Sequence, residues 1–196
     1  NLIMYLLYWL VSPIIYLAVW TSIAQSKGSV NGLTANDFVT YYMTLLIVDQ
    51  ITSNIVIHTF AYKVQDGSLS GELVRPIHPM LTNALVNNIA FKGLTIMGFI
   101  PVWIVLFFLY QPDFSNVTFT GILLAIPAMI IGFFVGYLLS AAITSLAFWT
   151  TRVYSIHEFY YALILLFSGQ FVPLTLMPQV IQNIAQYLPF QLFMYF

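Results

Sequence analysis

An all-α protein that crosses a membrane several times is the fold class this sequence predicts, and three observations predict it. Hydrophobic residues make up 61% of the 196 and charged residues 6%, against about a quarter charged in a soluble domain. Apolar runs near the length a bilayer demands, about 20 residues per span, alternate with short polar segments. Five basic and six acidic residues leave a net charge of −1, so there is neither a polybasic surface for nucleic acid nor an acidic tail.

The first span runs over about 2–23, interrupted only by Ser12 and Thr21. A polar stretch to Asp37 follows, in which Thr34 or Asn36 can cap the next helix by accepting a bond from its free amides. The second span, 38–61, carries Asp49, Gln50, Ser53 and Asn54 at spacings that put them on one side of a helix. A carboxylate at that depth must face protein or a watery cavity. Two roles stay open, a lining for a transport route and hydrogen bonding between helices. The second is favoured, since no basic partner is evident in the neighbouring spans. His58, nearer the span's end, reads as an interfacial histidine.

Residues 62–79 hold the turn formers Gly67, Gly71, Pro76 and Pro79, which supply positive φ or forbid helix continuation. Residues 80–92 are amphipathic, with Leu81, Ala84, Leu85 and Ile89 opposed to Asn83, Asn87 and Lys92, and are expected to lie on the membrane surface. The third span is then 93–110, the fourth 117–150 and the fifth 159–176. At about 1.5 Å per residue the fourth exceeds the roughly 30 Å hydrocarbon layer, so it is read as one long helix that protrudes. Gly132 and Gly136 on it have the spacing of close helix packing. Tyr41, Tyr42, Tyr110, Trp149, Tyr154 and Tyr160 fall near span ends and read as headgroup anchors. After the fifth span, Pro173, Pro178 and Pro189 punctuate a hairpin over 177–190. A sixth span is expected from about residue 190, truncated where the sequence stops, and a longer gene product is expected at both ends.

Orientation comes from basic residues. With the 62–92 segment in the cytoplasm, Lys63, Arg75, Lys92 and Arg152 are all inside and only Lys27 outside. The N-terminus is then cytoplasmic.

Enzymatic signatures are missing from the sequence: no zinc-helix or nucleophile-elbow motif, no phosphate-cradling glycine loop for a nucleotide, and no cysteine. No catalytic or metal-ligating residue is assigned, and any ATP use must come from a partner. The segment Gln65 to Pro79 is the most distinctive. Leu69, Leu73, Val74 and Ile77 are apolar in a loop expected to be wet, which favours a docking surface over a plain connector.

Two motifs carry a resemblance: the run G-S-L-S-G-E-L-V-R-P-I-H-P after a pair of spans, and G-Q-F-V-P-L-T-L-M-P-Q-V-I-Q-N-I-A-Q-Y-L-P-F after the fifth. Together they resemble the permease subunit of a type-2 ABC exporter, the six-span bacterial branch. The resemblance implies a coupling loop to an ATPase at Gly67, Leu69, Gly71, Glu72, Leu73, Arg75, Pro76, His78 and Pro79. It also implies an outer gate hairpin braced by Pro173, Pro178 and Pro189. It further implies two ATPase subunits that hold ATP and Mg, a second or related permease copy, and residence in a bacterial inner membrane. The expected cargo is amphipathic or hydrophobic: a drug, a lipid or a lipid-linked molecule. The alternative is an ion-coupled secondary transporter working through Asp49.

Overall fold

The computed structural model describes residues 2–115 and 117–191, with side chains from Leu10 onward apart from residues 82 and 83. Among the described residues the regular secondary structure is all helical save for one bridged pair, Val30 with Leu33. In chain order the helices are α1 (Leu2–Lys27), α2 (Ala35–Thr52), α3 (Tyr62–Gln65), α4 (Ser70–Leu73), α5 (Val86–Tyr110), α6 (Phe119–Ser145), α7 (Val153–Phe167) and α8 (Gln179–Tyr187). Three segments among the described residues are long and apolar enough to cross a membrane: Ala35–Gln65, Val86–Tyr110 and Phe119–Phe148. α1 adds a 26-residue helix, about 39 Å long. The chain is a polytopic membrane protein.

Helix α2 is the axis of the bundle and is packed on two sides. Leu10, Leu17 and Ala24 recur every seven residues along α1 and meet Phe38, Tyr42, Met43 and Leu46 of α2, with Phe99 and Leu106 of α5 closing that core. The opposite stripe of α2, Leu45 and Val48, packs with Tyr160 of α7 and with Met129, Leu139 and Ile143 of α6. Asp49 and Thr52 are buried beside that stripe. Gly132, Gly136, Ser140 and Thr144 are buried along one face of α6 within this single chain. Close packing inside the chain therefore accounts for the small-residue spacing.

Of the two candidate caps, Thr34 and Asn36, the structure uses Thr34. Its amide donates to Asp37 Oδ2 at 2.7 Å while its side chain accepts from the Asp37 amide, a reciprocal capping box.

Several boundaries differ from the sequence reading, each for a physical reason. The second span is not one helix: α2 ends at Thr52, residues 53–55 are non-helical, and a π-helical turn, Ile57–Ala61, restarts the rod into α3. No surface helix separates from the third span, because a π-helical turn over Met80–Leu85 runs directly into α5. Asn83, read as part of its polar face, lies outside the described side chains. α6 passes through Pro127 unbroken and tightens to a 3₁₀ turn at Leu146–Phe148. α7 spans 15 residues rather than reaching residue 176, about 22 Å. It stops because Gly169 takes the left-handed region at φ 88° and turns the chain back. The expected sixth span falls almost wholly beyond the described residues.

Candidate functional site: a braced loop, a broken span and a tied hairpin

At one end of the bundle the 66–79 loop is fastened to the span that carries it. Lys63 Nζ donates to Glu72 Oε1 at 2.6 Å, with both side chains largely shielded. Gly67 turns the chain at φ 78°. The Asp66 carboxylate accepts from the Ser68 hydroxyl at 2.7 Å and its amide at 2.9 Å, bonds that hold it below the usual carboxylate range. His78 Nδ1 accepts from the Met80 amide at 3.2 Å, closing the loop onto the next helix. The Tyr137 hydroxyl of α6 donates to the Met80 carbonyl. Gln65 Nε2 donates to the Thr151 carbonyl at 3.4 Å, so the turn between α6 and α7 lies at this same end.

The apolar residues of the loop divide into two groups. Leu69 is only 3% exposed, inserted among Val56, Phe60, Ala84 and Tyr137. That corrects the expectation that it faces outward, since the Lys63–Glu72 clasp folds α4 back over the π-helical turn. Leu73, Val74 and Ile77 stand 58%, 85% and 54% exposed. Gly71, Arg75 and Pro76 are exposed beside them while Pro79 is buried, and the Arg75 amide donates to the Glu72 carbonyl at 3.1 Å.

Mid-bundle, the polar residues of the second span meet a stripe on α5 that sequence reasoning missed. Gln50 Nε2 donates to Thr95 Oγ1 at 2.5 Å. Lys92 Nζ donates to the Gln50 carbonyl at 3.1 Å and to Ser53 Oγ at 3.3 Å, and lies 5.4 Å above the Phe133 ring. Its charge attracts the buried Asp49 carboxylate. Asn88 Oδ1 accepts from the Ile55 amide at 3.4 Å. Asp49 therefore has a basic neighbour, and Lys92 is not a surface residue. The readable signal is the spacing of Asn88, Lys92 and Thr95, which puts all three on one face of a helix. A cavity of about 20 Å³ lies between Gln50, Ser53, Asn54, Asn88, Lys92 and Thr95. Asn54 Oδ1 and Asn88 Nδ2, both buried, have no hydrogen-bond partner among the described residues.

His58 is exposed, with its ring 6.4 Å from that of His157 and 6.3 Å from Tyr154. No group of three or more metal-ligating side chains forms among the described residues.

At the opposite end, the segment after α7 is tied to α1 and α2. Tyr41 donates to the Gly169 carbonyl at 2.8 Å, while Tyr42 and Trp20 both donate to the Phe171 carbonyl, at 3.0 Å and 3.1 Å. Tyr42 is fully buried and Tyr160 nearly so, which corrects their reading as headgroup anchors. Pro173 precedes a 3₁₀ turn, Pro178 opens α8, and Pro189 follows its end. Ala185 packs with Val172, Leu174 and Met177, so α8 folds back on the returning segment.

No curated protein and no solved structure matched the chain. Residues 10–196 match the family model described as ABC-2 family transporter protein. That match covers nearly all of a polytopic helical chain with a clasped loop between its second and third membrane crossings, and the chain belongs to the ABC-2 family of transporter proteins.

Proposed function

We propose that this chain is the transmembrane half of an ATP-driven exporter that moves an amphipathic or hydrophobic substrate out of a bacterial cell. ATP and Mg are held by two separate ATPase subunits, and a second or related permease copy completes the route through the inner membrane. The observation that carries this reading is the division of labour in the 66–79 loop. Leu69 and the Lys63–Glu72 pair fix the loop to the lower arm of the second span, while Leu73, Val74 and Ile77 remain unburied at its tip. A stiff handle with an apolar end is what a separate motor requires. Three basic residues, Lys63, Arg75 and Arg152, sit toward this end and support its cytoplasmic placement; Lys92 no longer counts.

An apolar groove of about 240 Å³ between α2 and α5, walled by Ile47, Ile51, Phe99, Ile100 and Trp103, supports a hydrophobic cargo. Lys92 gives its hydrogen bonds to the Gln50 carbonyl and Ser53 Oγ, and no carboxylate lines the cavity beside it, so an ion-coupled route through Asp49 has less support than the exporter reading. The test is co-purification with an ATPase subunit. Val74→Asp and Leu73→Asp are expected to abolish ATPase association while leaving membrane insertion intact; unchanged association and turnover would remove the docking assignment.

A further inference from the structure

We propose that residues 53–55 are the pivot of a jointed second span, and that Asn54 and Asn88 form its two-state contact, with Lys92 the clamp that holds the state seen in this structure.

Breaking a helix inside a bilayer frees backbone groups that lipid cannot satisfy, so the break persists only where neighbours supply the bonds. Those neighbours are specific here. Lys92 takes the Gln50 carbonyl just before the gap and the Ser53 hydroxyl at its start, and Asn88 takes the Ile55 amide at its end. All of them come from one face of α5. The upper arm, α2, is fixed by packing with α1 and by the Tyr41 and Tyr42 hydroxyls. The lower arm, from Val56 to Gln65, carries the clasped loop. Along the chain, force applied to the loop reaches α2 through residues 53–55, where a few torsions can absorb it.

The second state is written in the donors and acceptors. Asn88 Nδ2 is a donor and Asn54 Oδ1 an acceptor; both are buried, both border the same small cavity, and neither has a partner among the described residues. Asn88 already holds the Ile55 amide through its oxygen. A small rotation of residue 54 toward α5 lets the same amide group hold Asn54 through its nitrogen, closing the cavity. Lys92 opposes that rotation by holding Ser53, the residue next to it. Asn88 and Lys92 act here as positioning residues, and neither is assigned contact with cargo.

The chain contains no cysteine, so the pair Asn54→Cys and Asn88→Cys can be introduced cleanly. In lipid nanodiscs, oxidation is expected to form the disulfide. Adding Lys92→Met is expected to raise its rate about tenfold, the effect of losing a charge-assisted hydrogen bond, and Lys92→Arg to restore the slow rate. Absence of the disulfide, or an equal rate in Lys92→Met, overturns the pivot. If Lys92→Met fails to insert, Ser53→Ala removes the same contact without touching a charge. It must raise the rate in the same direction, and no change overturns the proposal. A nucleotide-dependent rate in the presence of the ATPase rests on the exporter reading. If no ATPase binds, that reading fails while the disulfide rate in the isolated chain still decides the pivot.

Discussion

The Tyr42 hydroxyl donates to the carbonyl of Phe171 at 3.0 Å, joining α2 to a segment 129 residues later in the chain. Trp20 of α1 donates to the same oxygen. One carbonyl, freed where the chain leaves α7, is thus shared by two helices that α7 itself does not continue.

Sharing predicts non-additive losses. Tyr42→Phe or Trp20→Phe alone leaves the oxygen one donor, and each is expected to cost about 1 kcal/mol. The double substitution strands a carbonyl and is expected to cost more than the sum. Thermal unfolding of the three variants in one detergent measures this; additive losses would contradict the shared-acceptor account.

Leu69 and Val74 lie five residues apart in one loop but are expected to respond very differently to truncation. Leu69→Ala empties a core position among Val56, Phe60 and Ala84 and is expected to cost about 2–5 kcal/mol. Val74→Ala is expected to leave stability within about 0.5 kcal/mol. Chemical unfolding reads the first, and ATPase binding is the assay in which the second is expected to show.

The two loop glycines also separate. At Gly67 the backbone sits at φ 78° with nothing within 4 Å of an added Cβ, so Gly67→Ala pays backbone strain alone, about 1–2 kcal/mol. Gly71 has the same open surroundings inside α4 without a positive φ, and Gly71→Ala is expected to be neutral or slightly stabilising. Equal melting shifts for the two would show that the turn at 67 is not what shapes the loop.

Single cysteines at Ile77 and at Asn31 report the orientation. Ile77→Cys is expected to react with an impermeant thiol reagent only in inside-out vesicles, and Asn31→Cys only in intact cells. The reverse pattern would put the clasped loop on the wrong side for an ATPase.

Much of the fold is legible in the sequence because lipid enforces a simple code. Apolar length locates α1, α5 and α6, and the polar stretch with Thr34 and Asn36 announces the start of α2. Other features depend on partners remote in sequence. Ser53, Asn54 and Ile55 contain neither glycine nor proline, and their gap exists because Lys92 and Asn88 supply its bonds. α7 looks like a longer span because residues 171–176 are largely apolar. Their burial is instead against α1, α2 and α8, with Tyr41, Tyr42 and Trp20 satisfying backbone that a longer helix would have satisfied itself. Within the candidate loop, composition shows a stiff apolar segment, but it does not show that Leu69 points inward, because that follows from an ion pair nine residues apart.

The two ends of the bundle are fastened by different forces. The ties to Gly169 and Phe171 are phenol and indole bonds between neutral groups, indifferent to electrolyte. The Lys63–Glu72 clasp is a charged pair in direct contact at 2.6 Å with both side chains largely shielded, so it depends on the charge of its two members and little on surrounding salt. Neutralising one charge, as in Glu72→Gln, should therefore soften one extremity of the molecule and spare the other, leaving the far closure untouched.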